Sequence, residues 1–313
     1  MFEIKRYEPS HEQAWNDFVA RSKNGTFLFD RRFMDYHSDR FADSSLMILR
    51  KGRIYALLPA NRVGDTLHSH QGLTYGGLLT DAKATAEGVM EAFGALNAWL
   101  RNEGVRRVTY KAMPWIYHRL PAEEDLYALT QVCHARLLTR EISSTILLQQ
   151  PLRFTESRKS GLRKALREGL YMEESGDLAA FWQMLDDNLA SRHHTHPVHS
   201  LDELRLLQGR FPQQIHLYLI YNKEKEPVGG TWVFDTGQVV HTQYIASTEE
   251  GKAHGALDLL FDELINRRYR EGIYLDFGKS TEEGGRVLNK HLIFQKEGFG
   301  GRGVCYDTYE WEP

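Results

Sequence analysis

The stretch from His241 to Phe299 constrains the fold of this chain most strongly. Its pattern predicts a strand at residues 241–246, a glycine-bearing loop at 249–255, a helix at 256–269 and a second strand at 273–277. The first N–H groups of a helix have no internal partners and lie at the positive end of its dipole. The loop is therefore a candidate site for a pyrophosphate or carboxylate, although a plain strand–helix connection fits the same residues.

Composition limits the classes of protein to which the chain can belong. Its 313 residues are 42% hydrophobic and 12% aromatic, which is enough for two ordinary cores. The formal net charge of -3 argues against a broad nucleic-acid surface. No segment has the ~18 consecutive apolar residues of a membrane span, and the N-terminal residues lack a signal-peptide core. Cys133 and Cys305 give neither a disulfide framework nor a metal-ligand spacing. We expect a cytoplasmic location.

The two halves of the sequence follow the same order of elements. A helix that ends at Gly104 and the strand after it correspond to a helix that ends near Gly272 and the strand after that. Each half also begins with mixed strands and closes with a helix and a strand. This order predicts one α/β module used twice, with modules at residues 1–150 and 151–313.

The second half resembles a known family. Lys252-Ala253-His254-Gly255-Ala256-Leu257 is similar to the Arg/Gln-x-x-Gly-x-Gly/Ala loop of the GNAT acyltransferase superfamily, and departs from it at Leu257. Three further segments carry the resemblance, together with the basic helix at 157–169: Tyr244-Ile245-Ala246-Ser247, Asp276-Phe277-Gly278-Lys279-Ser280, and Leu288-Asn289 followed by Gln295-Lys296-Glu297-Gly298-Phe299-Gly300. The chain resembles the tandem GNAT proteins related to the FemAB aminoacyl transferases.

This resemblance implies a fold and a reaction. The fold is of the α/β (α+β) class, with two tandem GNAT-like modules, each a mixed, largely antiparallel twisted sheet flanked by helices. The reaction is transfer of an acyl or aminoacyl group from a thioester or ester to an amine on a small molecule, amino sugar or peptide. The resemblance by itself specifies neither the donor nor the amine: acyl-CoA is the co-substrate that we expect, aminoacyl-tRNA is the alternative donor, and we expect no metal. The expected contacts to the donor are Lys252, Gly255, Ala256, Ala246 and Ser247.

The catalytic candidates are Tyr244, His196 and Asn289. In a GNAT-like layout, Tyr244 reaches the acyl carbonyl and donates to the leaving group, whereas a strand tyrosine can also simply pack on the sheet. His196 belongs to a type of side chain that titrates near neutral pH and can act as a general base. Asn289 lies beside a glycine-rich segment and can orient a substrate amide.

The histidine-rich segment at 191–199 supports three interpretations: a metal site, a general base, or a polar loop in which one histidine binds backbone groups. We expect one or two of its histidines to line the substrate pocket, with Arg192 holding an anion. The predicted substrate contacts here are Arg192, His194 and His199. Lys279 and Ser280 are predicted at the carboxyl end of a strand, where open α/β sheets collect ligand contacts, and Lys296 and Arg163 complete the set.

Three rival functions fit the same sequence. The chain can be a non-catalytic GNAT-like module that binds an anionic ligand or partner. It can depend on aminoacyl-tRNA, since the basic helix suits contact with tRNA, and nucleic acid is an expected partner only in that case. A metal-dependent hydrolase built on the histidine segment is the third.

Overall fold

The computed structural model describes residues 1–193 and 196–313. These residues form two compact units. The first comprises Met1–Glu141, Thr281–Val287 and Cys305–Pro313, and the second comprises Ile142–Ser280 and Leu288–Val304. The module boundary predicted at residue 150 stays a prediction.

The elements of the first part of the chain alternate short strands with helices. In chain order they are β1 (Phe2–Arg6), α1 (Glu12–Arg21), α2 (Arg31–Met34), β2 (Leu46–Arg50), β3 (Arg53–Leu58), β4 (Asn61–Val63), β5 (Thr66–His68), β6 (Leu79–Thr80), α3 (Ala86–Asn102), β7 (Arg107–Lys111), α4 (Glu124–Gln131) and β8 (Arg136–Leu147).

The second part contains the segment from which the functional expectations came. Its elements are α5 (Glu156–Arg167), β9 (Tyr171–Glu174), α6 (Leu178–His193), α7 (Leu201–Arg210), β10 (Ile215–Tyr221), β11 (Pro227–Asp235), β12 (Val239–Ser247), α8 (Glu249–His254), α9 (Ala256–Glu263), a π-helical turn (Leu264–Arg268), β13 (Tyr274–Lys279), β14 (Thr281–Glu282), β15 (Val287–Leu288), α10 (Lys290–Gly298) and β16 (Arg302–Trp311).

The first unit packs helix α3 on a mixed set of strands. Strands β1, β2, β3 and β6 are antiparallel neighbours in that order, while β5 runs parallel to β7 and the end of β16 runs antiparallel to β7. The inward face of α3 carries Val89, Phe93, Leu96 and Leu100, all buried in the core of this unit. This face is the one that the spacing of apolar residues predicts.

The second unit has its own hydrophobic core and its own run of paired strands. Strands β9 to β12 are antiparallel neighbours, β12 and β13 are parallel, and β13 pairs antiparallel with the end of β8. The sheet is mixed and largely antiparallel with helices packed against it, which confirms the predicted fold class. A capping box precedes α7, since the Ser200 hydroxyl accepts from the Glu203 N–H and the Glu203 carboxylate accepts from the Ser200 N–H.

One local prediction is wrong. Residues 249–254, expected as a loop, form helix α8, because the Thr248 hydroxyl caps it by accepting from the Gly251 N–H. Gly255 ends α8 in the left-handed conformation and α9 begins at the next residue.

None of the helices in the described ranges is both long and apolar enough to cross a membrane.

Candidate active site

Strand β12 carries a β-bulge and lies beside a gap in the sheet. Trp232 pairs with Tyr244 but Val233 pairs with Thr242, so Gln243 is an extra residue on β12. The parallel ladder to β13 joins residues 239–241 to residues 274–276, and the rest of β12 runs on past the end of that ladder. A gap therefore opens between the carboxyl ends of two parallel strands, where α/β sheets bind ligands.

A cavity of about 520 Å³ lies at this gap, within the size range of small-molecule sites. We call it the strand-end cavity. Its lining comes from the end of β12, the α8–α9 turn, α6, α10 and the tip of β13. Six of the predicted ligand contacts line it: Ala246, Ser247, Lys252, Gly255, Ala256 and Lys296. Leu185, Leu189, Phe261, Phe277 and Phe299 give much of the remaining wall an apolar character.

Lys296 is the buried cation of this cavity. Its side chain on α10 is 4% exposed, and Nζ donates to the carbonyls of Gly278 (2.8 Å) and Lys279 (3.0 Å). Among the residues that the structure describes, Nζ has no further hydrogen-bond partner, so one of its three N–H bonds can serve a ligand. Burial lowers the pKa of Lys296 to about 8, and the nearby Asp276 carboxylate opposes that shift.

An ion pair forms another part of the wall. Arg158 on α5 lies 2.9 Å from Asp258 Oδ1 on α9, and both side chains line the cavity. Burial raises the pKa of Asp258 to about 6, while Arg158 opposes that shift. The backbones of Gly161 on α5 and of Gly255 at the start of α9 lie close together. A Cβ added to Gly255 would lie only 2.4 Å from the carbonyl oxygen of Gly161, which leaves no room for a side chain.

A second buried cluster ties three strands together below the gap. The Asp276 carboxylate on β13 is fully buried and accepts from His241 Nδ1 on β12 (2.9 Å) and from Ser143 Oγ (2.5 Å) and Thr145 Oγ1 (2.8 Å) on β8. A carboxylate oxygen can only accept, so His241 Nδ1 is the donor in this contact. Asp276 therefore ties the strands together and keeps a proton on His241 Nδ1.

Tyr244 and His199 lie together outside the lining of the cavity. The Tyr244 hydroxyl is 2.6 Å from His199 Nδ1, and its ring stacks on Trp232. Burial raises the pKa of Tyr244 to about 12. A phenol with this pKa stays protonated at neutral pH and serves as a hydrogen-bond donor rather than as a base.

Two other catalytic candidates have structural partners. His196 Nδ1 lies 2.7 Å from Asp186 Oδ1, and the histidine side chain is 76% exposed. Asn289 caps α10, since its Oδ1 accepts from the Leu292 N–H at 2.9 Å. Neither side chain lines the cavity.

The remaining predicted contacts are spread over the second unit. Arg163 on the exposed side of α5 pairs with Glu156 at 2.6 Å. Lys279 is exposed, and its carbonyl receives Lys296. Ser280 is fully buried, and its Oγ has no hydrogen-bond partner among the described residues. Arg192 lies in the last turn of α6, while His194 lies outside the described residues.

The sequence interpretation missed Arg158, Asp258, His241 and Asp276 as a set. Arg158 was visible in the basic helix, but nothing local separates it from Arg163. Their partners are distant in sequence, so only the fold joins them. Within residues 1–193 and 196–313, no three His, Cys, Asp or Glu side chains come together as metal ligands.

Comparison with known proteins agrees with this geometry. Residues 155–283 match the family described as "Acetyltransferase (GNAT) domain". That match spans β9 to β13 and the α8–α9 turn, and so includes the gap between β12 and β13. A search of curated proteins gives no significant match.

Solved structures share the fold at low identity. FemX superposes with a TM-score of 0.68 at 11% identity, over 99% of this chain and 97% of FemX. L-PGS from Bacillus licheniformis gives 0.62 at 13% identity, over 98% and 92% of the two chains. A tandem GNAT protein from the clavulanic acid biosynthesis pathway gives 0.53 at 12% identity, over 100% and 98%. Residues 155–283 therefore match a GNAT acetyltransferase domain, and the chain shares the fold of FemX and of the tandem GNAT protein.

Proposed function

We propose that this chain is an N-acyltransferase that moves an acyl or aminoacyl group from a thioester or ester to an amine. The observation that carries the proposal is the strand-end cavity with the Lys296 ammonium in its wall. An acyl carbonyl that enters between β12 and β13 lies beside apolar side chains and one buried cation. All five residues that we expect to contact the donor line this cavity: Ala246, Ser247, Lys252, Gly255 and Ala256.

The chemistry asks little of the protein beyond orientation and charge stabilisation. An amine attacks the donor carbonyl, the oxygen gains negative charge, and the C–S or C–O bond then breaks. The amine loses one proton and the departing thiolate or alkoxide gains one, so protons balance. We assign Lys296 to the developing oxyanion, because this buried side chain lines the cavity and its Nζ keeps one N–H beyond those donated to Gly278 and Lys279.

Tyr244 and His199 receive a different role in this proposal. Tyr244 lies on β12 beside the bulge, and His199 is hydrogen-bonded to it outside the cavity lining. We therefore assign this pair to binding of the acceptor amine. Asn289 caps α10 and so holds the helix that carries Lys296, which makes it a positioning residue.

We propose acyl-CoA as the donor, with an aminoacyl ester as the alternative. Titration of the protein with acetyl-CoA and CoA, followed by assay of thiol release across a panel of amines, tests the first. Amide formation from aminoacyl-tRNA tests the second. Absence of binding and of turnover with every donor would favour a non-catalytic binding module.

Filling the cavity is expected to weaken donor binding. Leu189 on α6 is half-buried and lines the cavity, so Leu189→Trp places an indole where the donor would lie. We expect donor affinity to fall at least about tenfold, the factor that corresponds to 1.4 kcal/mol of lost binding energy. Isothermal titration with acetyl-CoA measures the change.

Leu206→Trp provides the matched control, because Leu206 on α7 is exposed and outside the cavity. Its affinity for the donor should equal that of the wild type. Equal affinity in Leu189→Trp as well would mean that the donor lies elsewhere.

A further inference from the structure

A groove in the first unit is lined by α1, the β2–β3 hairpin and the segment after β6, and it encloses about 970 Å³. Among the described residues that line it, five are cationic: Arg21, Arg50, Lys51, Arg53 and Lys83. The acidic residues of the same lining are Asp17 and Asp81. We call this feature the basic groove. Its positive charge contrasts with the net charge of -3 of the whole chain.

Internal ion pairs neutralise little of this charge. Arg50 lies 3.6 Å from Glu91, a contact weakened by the exposure of both side chains. In the part of the chain that the structure describes, the side-chain nitrogens of Arg21, Lys51, Arg53 and Lys83 have no carboxylate oxygen within 4 Å. The two acids point to other donors: Asp17 accepts from Gln13 Nε2 at 2.7 Å, and Asp81 accepts from the backbone N–H of Lys83 at 2.9 Å.

Aromatic rings hold two of the guanidinium groups in place. Arg50 lies over Phe2 and Tyr55, with 5.2 and 6.0 Å from its guanidinium carbon to the ring centroids. Arg21 lies over Phe18 at 4.7 Å. Such stacking limits the rotamers of a long side chain, so less entropy is lost when the guanidinium binds an anion. These cations are therefore partly preorganised.

We propose that the basic groove binds a small molecule carrying a diphosphate, or two phosphate groups. Guanidinium groups form two parallel hydrogen bonds to phosphate, and several unpaired cations around one groove favour a ligand with more than one negative charge. The groove volume lies near the upper end of the range for small-molecule sites, so a nucleotide-sized ligand fits. The acidic net charge of the chain favours a small molecule over nucleic acid. This inference does not depend on the proposed acyl transfer.

Binding of inorganic pyrophosphate and of ADP to the full chain tests the proposal by isothermal titration. Lys83→Glu and Arg53→Glu each reverse an exposed charge in the groove. We expect each variant to bind pyrophosphate at least about tenfold more weakly than the wild type, with binding that also weakens as salt rises. Sulfate, with its single anionic group, should bind more weakly than pyrophosphate.

Arg106→Glu is the matched control, because this 85% exposed side chain lies in the same unit but outside the groove. It should leave pyrophosphate affinity unchanged. Thermal unfolding of every variant tests whether it is folded. If a charge-reversal variant is not folded, Lys83→Ala takes its place. The proposal is overturned if the wild type does not bind pyrophosphate, or if Arg106→Glu weakens binding as much as Lys83→Glu. It is also overturned if a single-stranded oligonucleotide displaces pyrophosphate at lower concentration.

Discussion

Replacing Lys296 by Met is expected to lower kcat for acyl transfer about 100-fold, the usual cost of removing one oxyanion donor. The methionine side chain keeps the length and much of the volume of lysine but removes the ammonium from the cavity wall. Affinity for the donor should change little, because the ammonium acts on charge that develops during reaction. Steady-state kinetics with the donor and amine identified in the binding and turnover panel measure both quantities.

Lys290→Met is the control for this variant. Lys290 begins the same helix, is exposed and lies outside the cavity lining, so its loss should leave kcat unchanged. A Lys296→Met enzyme with a kcat within about twofold of the wild type would contradict the assigned role.

The pH dependence gives an independent readout of Lys296. Since the pKa of Lys296 is lowered to about 8, the ammonium is lost as the pH rises through 8. Deprotonation of the acceptor amine raises kcat with pH, and loss of the Lys296 ammonium should make kcat fall below that rising curve. Stability moves in the opposite direction. The folded pKa lies below the unfolded value of 10.5, so between these two values the unfolded chain binds more protons and the free energy of unfolding rises with pH. Lys296→Met should lack both effects.

Replacing Asp276 by Ala is expected to destabilise the protein by roughly 3 kcal/mol or more, because buried donors left without an acceptor each cost about 1–3 kcal/mol. The carboxylate is fully buried and accepts from His241, Ser143 and Thr145. Its removal leaves three donors without their acceptor in the sheet that carries the cavity. Urea unfolding of the variant and the wild type measures the difference in free energy of unfolding.

Asp202→Ala is the control for this experiment, because the Asp202 side chain is 91% exposed on α7. Its loss should change the free energy of unfolding by no more than about 0.5 kcal/mol. If Asp276→Ala is as stable as this control, the carboxylate does not tie β8, β12 and β13 together.

Local sequence patterns predict much of the fold and part of the site. The strand that contains Ala246 and Ser247, the helix that contains Ala256 and the capping box at Ser200 follow from residue spacing and capping chemistry. The residues at the end of β12 and at the start of α9 are near each other in sequence, and they also lie near each other in the fold. For this reason the expected donor contacts share one cavity.

Other features depend on geometry that spacing does not contain. A single extra residue in β12 shifts the register between Tyr244 and Thr242, and no local pattern marks that bulge. Asn289 has the chemistry of a substrate ligand and also that of a helix cap, and the backbone decides in favour of the cap. The pairing of His241 with Asp276, and of Arg158 with Asp258, joins residues on separate elements.

The close approach of Gly161 and Gly255 has a practical consequence for labelling the protein. With backbone against backbone at that point, α5 keeps its position through main-chain contact, while Arg163 and Arg167 project on its exposed side. A fluorophore attached through a cysteine at residue 163 or 167, with the exposed Cys305 replaced by serine, should therefore leave this main-chain contact unaltered.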